Sequence, residues 1–87
     1  AVISISGIEA DGTLLDFDYH EVRLLQAILA HARKRYLLVD ASKYGRPALI
    51  RVANIAEFDG VFTDGAPTGA LADVVARAGV PVHVTST

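Results

Sequence analysis

No cysteine occurs in the sequence, so neither a disulfide framework nor a thiolate zinc site is available to it, and a reducing cytoplasm is the compartment this composition favours. Methionine is missing as well, and the chain opens on AVISIS, already inside a strand-like run, the pattern expected of a piece of a longer protein. The longest apolar runs are a few residues, well short of the roughly 18 to 20 that a membrane helix needs, so no membrane partner is expected. Charge of one sign is also scarce. Eight Lys and Arg are interspersed with ten Asp and Glu for a net charge of -2, which leaves no basic face by which these residues could themselves hold DNA or RNA. There is no internal repeat, low-complexity tract or linker.

What is present is apolar. Hydrophobic residues make up 52% of 87 positions, more than an average soluble domain carries, which points to elements buried on two sides or covered by a partner. The length allows one small domain, at a size where folding buries only roughly 60 to 65% of the unfolded chain's surface.

Residues 1–6 alternate apolar and small polar residues and read as a strand ended by Gly7. Residues 7–18, GIEADGTLLDFD, read as a loop, with the Asp11-Gly12 turn pair among further acidic residues. From Tyr19 to about Arg33 the pattern predicts a helix, with Asp18 as N-cap and Glu21 at capping-box spacing. RYLLVD, 35–40, is a continuous apolar run of the kind found in a parallel strand covered on both faces. Residues 48–55 are ambiguous between a short strand and a turn into a helix. GVFTD, 60–64, reads as a strand, 68–78 as a helix stopped by Gly79, and 81–86 as a closing strand. This order predicts an α/β domain, three-layer α/β/α, with a mainly parallel sheet.

Parallel sheets place ligands beyond the carboxyl ends of their strands. The segments leaving those ends are Ser6-Gly7 with the acidic loop, Asp40 to Lys43, and Thr63-Asp64-Gly65. On a helical wheel advancing about 100° per residue, Leu25, Ile28 and Ala32 lie within about 40° of Glu21, with Leu24, Leu29 and Val22 flanking and Arg23, Gln26, Arg33 and Lys34 opposite. Glu21 is therefore expected inside the buried stripe, where a carboxylate needs the cap, a cation or a ligand hydroxyl. Lys43 is either a turn lysine and partner for Asp40, or a point charge for a phosphate or hydroxyl. Arg46 is placed to reinforce anion binding or to be solvated. DASKYGR lacks the P-loop spacing, TDGAPTGAL is a strand-to-helix turn that also suits an anion, and His20, His31 and His83 lack metal-ligand spacing. No metal, cofactor or nucleophilic triad is implied.

The stretches SGIEADGTLLDFDYHEV, LLVDASKYGR and VFTD, in that order, resemble the effector-sensing domain of the DeoR family of bacterial transcription repressors, and the likeness runs through essentially all 87 residues. It implies the C-terminal part of a sensor domain, roughly the last third of a repressor. The winged helix-turn-helix for operator DNA, and the glycine- and threonine-rich phosphate-binding segments, would lie upstream of Ala1. It also implies a phosphorylated sugar or polyol, glycerol 3-phosphate foremost, as an effector that relieves repression, a homo-oligomer, and no catalysis. The sensor fold is similar to ribose-5-phosphate isomerase: DASK at 40–43 matches that enzyme, with Lys43 at its substrate-site lysine and Glu21 at its glutamate. TLLDFD stands where the enzyme has a glycine-rich lysine loop, as expected of a sensor that keeps the pocket without the chemistry. On this resemblance Glu21 holds effector hydroxyls, Lys43 counters negative charge, Gly7 lets the backbone approach, and Asp11, Asp16 and Asp18 are loop candidates. An isomerase, or an oligomerisation module without ligand, are the alternatives.

Overall fold

A computed structural model describes residues 1–85. Four short strands, β1 (Val2–Ile3), β4 (Tyr36–Val39), β6 (Gly60–Thr63) and β7 (Val82–Val84), form an all-parallel sheet in that spatial order. β2 (Gly7–Ile8), β3 (Thr13–Asp16) and β5 (Ile50–Asn54) form a second, antiparallel sheet. Two helices, α1 (Tyr19–His31) and α2 (Gly69–Ala78), complete the fold. The α/β class and the mainly parallel sheet are as the sequence predicts. Ser86, the end of the predicted closing strand, lies outside the described residues.

The antiparallel sheet is where the structure departs from expectation. Residues 7–18 are not a loop but a hairpin: Gly7 pairs with Leu15 and Ile8 with Leu14, around a turn closed by the Gly12 N–H donating to the Glu9 carbonyl at 2.9 Å. Gly12 has φ +91, which an L side chain tolerates poorly, so the Asp11-Gly12 pair serves the hairpin. The ambiguous 48–55 stretch resolves into β5 followed by a 3₁₀ turn at Ile55–Glu57. That turn is opened by a complete capping box, in which Asn54 accepts from the Ala56 N–H and the Glu57 carboxylate accepts from the Asn54 N–H.

Helix α1 starts where predicted. The Asp18 carboxylate accepts from the His20 N–H at 2.8 Å and the Glu21 N–H at 3.2 Å, satisfying two of the free donors of the first turn. It ends two residues early, at His31, where the Arg35 guanidinium donates to the Leu29 carbonyl at 3.0 Å. α1 lies against β3 and β5. α2 ends on Gly79, φ +70, with the Gly79 and Val80 N–H groups bonded back to Ala76 and Val75.

One core joins these parts. Ile3, Leu37, Val39 and Val61 from the parallel sheet meet Ile8, Leu14 and Val52 from the antiparallel one, Val22 and Leu29 from α1, and Leu71 and Val75 from α2. Parallel strands are too short and too separated in sequence to hold by backbone pairing alone, so this shared apolar interior is what fixes their register. Among the described residues, no helix is long and apolar enough to cross a membrane.

Candidate functional site at the strand ends

The parallel strands all point their carboxyl ends the same way, and the segments that leave them are tied to one another. After β4, the Asp40 carboxylate accepts from the Ser42 N–H and hydroxyl, forming an Asx-type turn that opens the 3₁₀ turn Ala41–Lys43. After β6, the Asp64 carboxylate accepts from the Ala41 N–H at 2.8 Å, binding the two strand ends together. The Tyr44 hydroxyl lies 2.8 Å from Thr63 Oγ1 and 2.7 Å from the Gly65 carbonyl, and Thr63 is almost wholly buried. Burial pushes the Tyr44 phenol above its ordinary value, with the charges of Asp64 and Asp40 adding to it and the Thr63 hydrogen bond opposing. From the antiparallel sheet, Ile8 bridges to Tyr44 and its carbonyl accepts from the Gly45 N–H at 2.8 Å.

Between these ends lies a recess of about 470 Å³, walled by Ser4 and Thr85, by the carboxylate-bearing Asp40 and Asp64, and floored by Leu38 and Phe62. Its polar groups are acceptors and hydroxyls over an apolar floor, which suits a small polyhydroxy molecule. The neighbouring cation is Lys43, half-buried, with its ammonium 3.6 Å from the Asp40 carboxylate. The Asp40 carboxyl is held below its ordinary range, first by the Ser42 hydroxyl, then by the Ser42 N–H and the Lys43 charge. A second hollow of about 250 Å³, lined by Gln26, Arg35, Val52 and Phe58, lies between α1 and β5, away from the strand ends.

The residues singled out from sequence fall into groups. Lys43 does pair with Asp40, as one of the two expectations for it had it. Ser6, Gly7 and Asp16 come together with the Lys43–Arg46 turn: the Ser6 hydroxyl donates to Asp16 at 3.0 Å, and a Cβ on Gly7 would sit 2.1 Å from the Arg46 carbonyl oxygen. The close approach that Gly7 permits is therefore filled by the Arg46 main chain, not by open space. Asp18 caps α1. Asp11 lies at the other end of β3, where its carboxylate accepts from the Thr13 N–H at 2.9 Å and is held below its ordinary value mainly by that bond.

Glu21 is the clear correction. It is exposed, and the buried stripe of α1 runs through Val22 and Leu29 with Leu25 and Ala32 half-buried beside them. Leu24 and Ile28 are exposed, while Gln26, assigned to the far side, donates to the Arg51 and Val52 carbonyls of β5. The apolar arc of this helix is wider than the part that packs, and its centre does not coincide with the centre of the contact. Of the capping-box pair only Asp18 acts; among the described residues the Asp18 N–H has no bond to Glu21, and the ion pairs, Lys43–Asp40 and Arg51–Glu57, leave Glu21 out. Sequence reasoning missed Ser4, Thr85 and the Tyr44–Thr63 anchor; the signal for the anchor was a tyrosine inside an otherwise polar turn. Among the described residues no cluster of three or more His, Cys, Asp or Glu could hold a metal ion.

Residues 1–65 match the family model described as the DeoR C terminal sensor domain. The chain belongs to the DeoR family. The matched region stops short of the full length over which the likeness was expected, leaving α2 and β7 beyond it. This DeoR sensor segment is 48% identical over 66 residues to the glycerol-3-phosphate regulon repressor of Escherichia coli (strain K12), a match covering 76% of the chain and 26% of that protein. The namesake from Haemophilus influenzae is 41% identical over 68 residues, covering 78% and 27%. The HTH-type transcriptional repressor CsqR of Escherichia coli (strain K12) is 39% identical over 70 residues, covering 80% and 27%. The chain thus spans about a quarter of the length of the curated relatives it matches, and these relatives are named as transcriptional repressors, not as enzymes.

Proposed function

We propose that this segment is the effector-sensing portion of a bacterial DNA-binding transcriptional repressor, and that it binds a phosphorylated sugar or polyol, glycerol 3-phosphate first among them, to relieve repression. The observation that carries the proposal is the 48% identity over 66 residues to a glycerol-3-phosphate regulon repressor. Asp40, Asp64, Ser4 and Thr85 present acceptors and hydroxyls to the polyol. Lys43 is the cation at the rim, and it can exchange its bond to Asp40 for one to the effector, since an ammonium with three rotatable donors is not bound to one geometry. Gly7, Asp16 and Asp18 hold the adjoining hairpin and helix start, with Asp11 as its turn, and Glu21 meets an effector hydroxyl only where another part of the protein covers its side of α1.

Effector binding acts on repression through its difference in affinity between two arrangements of a homo-oligomer, which carries a separate N-terminal domain to operator DNA in the cytoplasm. Calorimetry of the full-length protein tests the assignment. Heat released with glycerol 3-phosphate but not with glycerol, and lost in Lys43→Ala and Glu21→Ala, supports it; equal silence with both ligands refutes it.

A further inference from the structure

Among the described residues, β7 pairs on one side only, with β6. The Val61 N–H donates to the Pro81 carbonyl, and the Thr85 N–H to the Thr63 carbonyl. Main-chain groups alternate sides along a strand, so those of Pro81, His83 and Thr85 face β6, while the N–H and C=O of Val82 and Val84 face outward. Proteins ordinarily blunt such an edge with charge, a proline or a bulge. Residues 79–85 hold no Lys, Arg, Asp or Glu, and Pro81 does not blunt the edge, because its main chain faces β6. Side chains alternate as well. His83 stacks on Phe62 on one face of the sheet, while Val82 and Val84 turn to the other and line an apolar recess of about 330 Å³ with Pro67, Ala72 and Ala76. Val74, on the other flank of α2, lies against Gly12, which leaves Ala72 and Ala76 on the flank nearer the edge. That flank carries no charge either.

We infer that β7 is the seam between two copies of this chain, joined antiparallel about a two-fold axis through His83. Val82 of each copy then exchanges both main-chain bonds with Val84 of the other, so the outward groups of the edge satisfy one another. A closed two-fold contact requires a surface that is complementary to itself in this way. The charges on α2 meet the same requirement. Counted from the Gly79–Pro81 turn, Val75 stands about 6 Å up the helix and His83 about 7 Å up the strand, so the axis passes close to Val75. Asp73 and Arg77 are exposed, two residues to either side of it, and border the Ala72–Ala76 flank. The axis sets Asp73 of each copy beside Arg77 of the other, whereas a partner bearing one sign of charge would leave one of them facing its like. Ala72 and Ala76 are small enough for the two helices to approach as the strands join. The seam rests on the homo-oligomer proposed above and is independent of the effector.

The test is disulfide trapping in the full-length protein, read peptide by peptide by mass spectrometry so that other cysteines do not interfere. His83 faces His83 of the other copy as a non-hydrogen-bonded pair, with Cα atoms about 4.5 Å apart, within the range a disulfide spans. Val82 stands about 8 Å from Val82 of the other copy, beyond that range. Under mild oxidation His83→Cys should therefore cross-link to itself in at least about tenfold higher yield than Val82→Cys. Val84→Pro, which removes an outward N–H and leaves the β6 ladder whole, should lower the His83→Cys yield about tenfold or more at an unchanged circular dichroism spectrum. Should His83→Cys fail to fold, a mixture of Val82→Cys and Val84→Cys chains should give the mixed cross-link in its place. Sedimentation of the wild type separates the two ways of failing. A monomeric wild type overturns both the seam and the homo-oligomer; an oligomeric wild type in which His83→Cys cross-links no better than Val82→Cys overturns the seam alone.

Discussion

Replacing Tyr44 by phenylalanine isolates the bond that anchors the Asp40–Lys43 turn to the end of β6. The hydroxyl lies 2.8 Å from Thr63 Oγ1 and 2.7 Å from the Gly65 carbonyl, while Thr63 Oγ1 is itself 3.1 Å from that carbonyl and accepts from the Gly65 N–H at 3.3 Å. Without the phenol oxygen, Thr63 still donates to Gly65, so neither remaining group is orphaned. The loss should stay near the net value of one hydrogen bond, about 1 kcal/mol. Thr63→Val removes the centre of the network and strands the Gly65 N–H, for a cost of about 1 to 3 kcal/mol. In a domain of this size 1 kcal/mol corresponds to roughly 4 to 8 °C in Tm. Urea denaturation followed by circular dichroism on the wild type, both variants and the double variant measures the costs and their coupling, with an unchanged m as the check that only stability moved. The pH arm has a definite sign. Burial raises the folded-state pKa of Tyr44 above its ordinary 10.0, so its contribution is whole below pH 10 and is lost as pH rises through the folded value. The gap between wild type and Tyr44→Phe should therefore close in alkali. A Tyr44→Phe stability equal to the wild type's at pH 7, or a gap that widens above pH 10, would refute the reasoning.

Gly7→Ala drives a Cβ to within 2.1 Å of the Arg46 carbonyl and should cost about 1 to 3 kcal/mol or prevent folding. Gly45→Ala, with φ +74 and nothing near its Cβ, should cost about 1 kcal/mol through backbone strain alone, and melting temperatures separate the two. Leu37→Ala empties a fully buried position and should cost about 2 to 5 kcal/mol, against about 0.5 kcal/mol or less for Leu49→Ala at a site 85% exposed. The Asp40 carboxyl should titrate by NMR below its ordinary 3.8, and Ser42→Ala should move it back up, because the Ser42 hydroxyl is the leading cause of the shift. What that carboxylate adds to stability is present above pH 3.8 and lost as pH falls through the folded value.

The elements legible in the sequence are those whose cause is local. Asp18 before a 3.6-residue pattern marks α1, Gly79 after one marks the end of α2, and the uninterrupted apolar run before Asp40 marks β4. The β2–β3 hairpin was not legible because one strand is two residues long and the other sits among acidic residues that read as loop; it is held by long-range partners, Thr13 with Asn54 and Leu14 with Ala53, that no window contains. β5 was ambiguous for the same reason, and the complete capping box at Asn54–Glu57 went unnoticed behind the half-used one at Asp18–Glu21. Glu21 was misplaced because a helical wheel locates the apolar arc, whereas burial depends on which part of that arc meets β3 and β5. Of the site, the strand-end segments were visible through the rule that parallel sheets bind beyond their carboxyl ends, but Asp64's bond to Ala41 and the Tyr44 anchor required the fold.

The most direct measurement is a crystal structure of the full-length protein with glycerol 3-phosphate. The ligand should lie beyond the ends of β1, β4 and β6, with hydroxyls at Asp40 or Asp64 and the Lys43 ammonium within ion-pairing distance of the phosphate. Density for it elsewhere, such as the hollow beside Gln26 and Arg35, would contradict the account.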